Sequence, residues 1–330
     1  MLSLRRKTSI VWVCVLMQVL SVSCTPTAPP ATTPAPSLTA PAQVLATPVT
    51  PENQPLVFSD GLGREVVLSG PAQRIISMAP SNTEILFAIE AGGQLVGRDE
   101  TSDFPPEALN VASIGSTYGE LNTEAMLALE PDLVLAATIT SPEQVESMEN
   151  LGITLYLLPN PMTFDELFDN FRVVGELTGH TVEAEALVDS LQARVQSVKG
   201  AMQSVEPVRA FYEVDGSDPT APWTTGTGTF QDVLISMVGG ENVAAGLEGW
   251  GQINLESIVT ANPEVIFFGA GPWVPTTAES LSARSGWGEI EAVQTGRIHP
   301  IDTNWVDRPG PRLVDALELM ASLMHPEKFE

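Results

Sequence analysis

The stretch LNTEAMLALEPDLVLA, residues 121–136, decides the fold once it is set beside INLESIVTANPEVIFF, residues 253–268. The two align without a gap. Asn122 falls on Asn254, Glu124 on Glu256 and Pro131 on Pro263, and the acidic Asp132 and Glu264 also correspond. Both stretches read the same way in physical terms. An asparagine accepts from the free N–H groups at a helix start. A glutamate sits in the first turn, where the helix dipole favours negative charge. A proline then starts the turn into an apolar strand. A weaker echo pairs residues 81–93 with 228–240, each a helical stretch closed by Gly-Gly. A unit repeated within one chain implies two similar lobes.

Outward from that pair, apolar runs of strand length alternate with helical stretches. The first half has strands at 74–78, 95–97, 133–137 and 154–158, with helices at 81–90, 122–129 and 142–150. The second half has strands at 208–214, 265–268 and 297–301, with helices at 230–237, 254–261, 276–283 and 312–324. Such alternation predicts α/β lobes of Rossmann-like, parallel type. Asp60-Gly61-Leu62-Gly63 reads as the turn of a hairpin ahead of them. Between the halves, residues 163–205 contain no proline, and Gly179 divides them. From Thr181 to about Gln203, Ala184, Leu187, Val188, Leu191, Val195 and Val198 recur on one side of a helix. At that length it is about 35 Å long, comparable to a small domain. The organisation expected is an N-terminal lobe over 56–160, connecting helices over 161–205 that include one long rigid helix, and a C-terminal lobe over 206–330.

Ahead of the lobes, Arg5, Arg6 and Lys7 precede an apolar run over 10–20, too short to span a bilayer. Ser21-Val22-Ser23 and Cys24 follow. This resembles a bacterial lipobox, with Ser21 where leucine is usual, and it implies a lipoprotein signal peptide over 1–23 and a lipidated Cys24. Residues 24–55 carry nine prolines among many Thr and Ala. They are expected to form an extended tether, since such a segment buries too little apolar surface to offset its ordering entropy.

Composition excludes several classes of function. A net charge of −26 argues against nucleic acid. The only cysteines are Cys14 and Cys24, so the body has neither a disulfide framework nor a cysteine metal cluster. His180, His299 and His325 are scattered and are expected to be exposed or capping. Gly115-Ser116-Thr117-Tyr118-Gly119 looks like a nucleophile elbow, but no strand leads into it and no histidine partner is evident. The reading is therefore a binding protein with no cofactor of its own, and not an enzyme. Five tryptophans, Trp223, Trp250, Trp273, Trp287 and Trp305, all lie in the second half. Pro222-Trp223, Gly249-Trp250-Gly251 and Pro272-Trp273 read as loops, and loop tryptophans on rigid elements suit a large flat ligand.

RIISMAPSNTEILFAIEAGGQLVG (74–97), SDFPPEA (102–108), the two echo stretches and NWVDRPGPRLVDALE (304–318) together resemble the cobalamin and ferric-siderophore binding proteins of ABC importers. The resemblance covers roughly 56–326. It implies an extracytoplasmic, lipid-anchored monomer that captures a metal chelate and delivers it to a permease dimer with its ATPase subunits. It implies a ligand between the lobes, held by Pro80, Ser81, Asn82, Tyr118, Trp223, Trp250, Asn304 and Arg308. It also implies that Glu124 and Glu256, one per lobe, dock on the permease. A corrinoid leads; a ferric siderophore, or haem with Tyr118 as the only candidate ligand to iron, is the alternative within the class. Thr101 and Ala137 stand where a cobalamin binder carries aromatic rings. Arg308 is expected to face an anionic ligand edge, to pair with Asp307 or to cap the helix after Pro311. An enzyme or a sensor on the same two-lobed plan is the alternative of another class.

Overall fold

The computed structural model describes residues 55–271 and 274–329. The signal peptide, Cys24, most of the tether and Trp273 lie outside them.

The described chain opens with the hairpin β1 (Leu56–Ser59) and β2 (Glu65–Leu68). Gly61 is required in its turn, because its N–H reaches Leu157 O at 2.7 Å and a Cβ would meet that oxygen at 2.9 Å. The first lobe follows as β3 (Ile75–Ser77), α1 (Pro80–Ala88), β4 (Leu95–Arg98), α2 (Thr123–Ala128), β5 (Leu133–Ala137), α3 (Pro142–Asn150) and β6 (Leu155–Leu158). Its four strands pair in the order β4-β3-β5-β6, all parallel. These strands are almost wholly buried, which is why they read as short continuous apolar runs.

Two helices link the lobes. α4 (Phe164–Thr178) ends at Gly179, whose φ of 80° is the left-handed C-cap that divides the proline-free segment. α5 (Thr181–Ala201) buries Ala184, Val188, Leu191, Val195 and Val198. Each such Val or Leu contributes roughly 1.5–3 kcal/mol by leaving water. α4 packs on α1 of the first lobe, and α5 packs on the last helix of the second.

The second lobe comprises β7 (Val208–Asp215), β8 (Trp223–Thr225), α6 (Phe230–Met237), β9 (Gly240–Asn242), β10 (Trp250–Gln252), α7 (Leu255–Ala261), β11 (Val265–Ala270), α8 (Ala278–Ser282), α9 (Glu291–Thr295), β12 (Ile298–Asp302), α10 (Thr303–Val306) and α11 (Leu313–Met324). Its parallel strands run β9-β7-β11-β12, the same plan as β4-β3-β5-β6. Antiparallel β8 and β10 are added beside β7. The tryptophan loops expected at 222–223 and 249–251 are therefore these two short strands. At three residues each, between Pro and Gly, they are too short for alternation to declare itself.

The internal echo runs deeper in three dimensions. Asn122 Oδ1 accepts from Ala125 N at 3.0 Å, and Asn254 Oδ1 from Ser257 N at 2.8 Å. Glu130 and Asn262, each just before its proline, both take left-handed φ values, 47° and 48°. Arg74 Nε donates to Glu130 O, and Arg209 Nε to Asn262 O, each at 2.9 Å. The same device thus ties helix end to strand start in each lobe. Of the histidines, His180 precedes α5 without capping it through its side chain, and His299 leans on Phe267. His325 is not exposed, at 4%, but stands at the C-cap of the helix over 313–324, against Gly239. Trp287 is wholly buried and packs on Phe211.

Candidate ligand-binding cleft

A parallel α/β sheet gathers its loops, and hence its ligands, at the carboxyl ends of its strands. Here the carboxyl ends of both sheets border one cavity of about 570 Å³. The first lobe contributes Met78 to Ser81 after β3, Glu100 and Thr101 after β4, Ala137 to Ile139 after β5, and Asn160 after β6. The second contributes Thr303, Asn304, Asp307 and Arg308, all after β12. A side cavity of about 260 Å³ adjoins it, reaching Gln231 and Trp250.

Of the residues singled out in the sequence, Pro80, Ser81, Tyr118, Asn304 and Arg308 come together on the wall of the main cavity. Trp250 lines the side cavity. Trp223 lies on the neighbouring strand, two residues from the partner of Trp250, and both rings are exposed. Asn82 stands behind the wall. It is 1% exposed, and its Nδ2 donates to Leu135 O and Ala136 O at 3.0 and 3.1 Å, so it locks α1 onto the end of β5. Ala79 caps α1 without a side-chain bond; Pro80 has no N–H, so Ser81 and Asn82 carry the first-turn N–H groups without an intrahelical partner.

Charge is distributed unevenly. Glu100, Asp103 and Asp307 line the main cavity, and Arg308 is the sole cation among its lining residues. That cation is already committed. Arg308 Nη1 donates to Asp103 Oδ1 at 2.7 Å and to Glu84 Oε1 at 3.4 Å, both in the first lobe. It neither pairs with Asp307 nor caps α11, because Asp103 and the buried Glu84 of the first lobe hold it. Arg312 joins the same cluster, with Nε 2.9 Å and Nη2 2.5 Å from the Glu84 carboxylate and its guanidinium 4.0 Å over the Phe104 ring. Glu84 is only 3% exposed, so two arginines of one lobe close over a desolvated carboxylate of the other. Asp307 accepts from Gln231 Nε2 at 2.9 Å. The protein around it strips water from its carboxyl and pushes it up to about 6, against the opposing pull of Gln231 and Arg308.

Sequence reasoning missed Gln231, Asp307 and the Glu84 cluster. Asp307 was weighed only as a neighbour of Arg308. The cluster joins residues 224 and 228 positions apart, which no local pattern reveals.

Two α/β lobes of one topology, joined by helices and sharing a cleft, suit a receptor that holds its ligand between lobes. Residues 75–304 match the family model described as periplasmic binding protein. The ABC transporter substrate-binding lipoprotein YvrC of Bacillus subtilis is 30% identical over 282 residues, 84% of this chain and 87% of that protein. The crystal structure of the periplasmic vitamin B12 binding protein BtuF of Vibrio cholerae superposes with a TM-score of 0.66 at 28% identity, covering 79% of this chain and 99% of the other. The periplasmic heme-binding protein RhuT from Roseiflexus sp. RS-1 gives 0.69 at 25%, covering 78% and 99%. The chain belongs to the periplasmic binding protein family, whose members are extracytoplasmic substrate-binding proteins and not enzymes. Among the described residues no helix is long and apolar enough to cross a membrane.

Proposed function

We propose that the protein captures a corrinoid of the cobalamin type and presents it to an ABC importer. One observation carries the choice of ligand. The cleft is acidic, and its single arginine is spent on Glu84 and Asp103. Nothing among the lining side chains is free to neutralise a carboxylate-bearing chelate such as haem. The donors of the α1 N-terminus on one side and the acceptors of Asp307 and Asn304 on the other suit a ligand rimmed with neutral amides, which both donate and accept. Trp250 and Trp223 offer flat apolar faces beside it. The likeness to a vitamin B12 binding protein supports it, and that to a heme-binding protein supports the haem alternative. A cationic ferric hydroxamate meets the same acidic rim without penalty and is the second reading.

Delivery rests on two exposed glutamates. Glu124 and Glu256 occupy equivalent first-turn positions of α2 and α7, so a two-fold symmetric permease meets a quasi-two-fold receptor. Cys24 would hold the monomer to the membrane through the tether, in keeping with the lipoprotein YvrC.

Tryptophan-fluorescence titration, confirmed by calorimetry, with cyanocobalamin, a cationic ferric hydroxamate and haem in parallel tests the ligand. Saturable binding of cyanocobalamin alone is expected. Tight binding of haem alone would overturn the reading of the acidic cleft.

A further inference from the structure

The side cavity differs from the main cleft in having one buried polar group left over. Gln231 is 4% exposed, and its Nε2 is committed to Asp307 Oδ1 at 2.9 Å. Its Oε1 has no partner. Buried polar atoms of a folded protein are nearly always paired, so this acceptor, closed to a water-sized probe, calls for a donor that meets it after a small shift of the Gln231 side chain. Asp307, beside it, offers a second acceptor, the remaining carboxylate oxygen. The other walls are apolar: Val214, Phe230, Val306 and Leu313. Neither Lys, Arg nor His lines the side cavity. It opens on the main cleft, with which it shares Asn160, Asp307 and Pro309.

We propose that this cavity seats one neutral primary-amide arm of the ligand, and that Gln231 and Asp307 reject a carboxylate arm in the same place. The inference rests on the corrinoid reading above and deepens it. A primary amide brings two N–H donors, one for Gln231 Oε1 and one for Asp307, while exposed Asn160 at the mouth can donate to its carbonyl. A carboxylate of the same shape brings only acceptors and a negative charge. It would face an unpaired carbonyl oxygen and another carboxylate, and like charges that close disfavour each other. Shape alone cannot make this distinction, because the two groups are isosteric; hydrogen-bond polarity can.

The test compares cyanocobalamin with its isomeric monocarboxylic acids, each with one peripheral amide hydrolysed, by calorimetry on the whole purified protein. At least one isomer is expected to bind about tenfold or more weakly than the parent, the loss of one charge-assisted hydrogen bond. Asp307→Asn replaces an acceptor by a group that also donates, and should bring that isomer to within about twofold of the parent. Equal affinities of wild type for the parent and all acids would overturn the proposal without any variant, and leave the corrinoid reading standing. A gap that Asp307→Asn does not narrow, in a variant whose thermal melt shows it folded, would overturn it as well. Failure of cyanocobalamin itself to bind, with the ferric hydroxamate binding, would instead remove the corrinoid reading and this inference with it.

Discussion

The two lobes share one plan and differ in what has been added to it. β4-β3-β5-β6 and β9-β7-β11-β12 are the same parallel order, and Arg74–Glu130 matches Arg209–Asn262 bond for bond. The second lobe alone carries the antiparallel pair β8 and β10, and with it Trp223 and Trp250. It also supplies both arginines of the cluster around Glu84, which the first lobe supplies. The shared part holds the fold and places a first-turn glutamate on each half. The unshared part brings the exposed tryptophans, while the first lobe forms most of the wall of the main cavity.

The largest effect should come from the junction between the lobes. Arg312→Leu leaves Glu84 desolvated with only the longer contact to Arg308, and should cost about 3 kcal/mol in urea unfolding. A loss below about 1 kcal/mol would mean the lobes do not depend on this cluster. Next comes the asymmetry in recognition. Trp250→Ala should weaken cyanocobalamin binding by about thirtyfold, and Tyr118→Ala of the first lobe by clearly less. Equal losses would erase the distinction drawn here.

Symmetric features should respond symmetrically. Glu124→Ala and Glu256→Ala should each weaken docking to the permease by about tenfold, measured in reconstituted uptake, with ligand affinity unchanged. Asn122→Ala and Asn254→Ala should each cost about 1 kcal/mol, since each removes one equivalent N-cap bond. The last effect is on pH dependence and belongs to Asp307, whose exposure in the cleft screens it. Its carboxyl sits at about 6 when folded, above the 3.8 of an ordinary aspartate, so the folded state holds the proton more tightly. The stability this supplies is fully present below about pH 4 and is lost as pH rises through about 6. Thermal melts from pH 4 to 8 should therefore show Asp307→Asn gaining on the wild type as pH rises. A constant difference would show that the carboxyl titrates normally.

What was legible in the sequence follows the same division. The duplicated unit could be read because caps, a first-turn acid and a proline are local signals at fixed spacing. Even there Glu130 and Asn262 hid their shared left-handed backbone behind unlike side chains. β8 and β10 escaped notice because three residues cannot show a period. Pro80, Ser81, Tyr118, Asn304 and Arg308 on the cavity wall were anticipated through the family resemblance. The partners of Arg308 were not, since a buried Glu84 in the middle of an apolar helix gives no hint of which distant cation answers it.

Glu84 also has a consequence for timing. Arg308, Arg312 and Gly310 of the second lobe cover it, so parting the lobes would break its ion pairs and let water in, a cost that opposes opening. If the mouth keeps one width, residence time would follow from how fast a ligand passes the rim, and release would be the step at which an importer must do work.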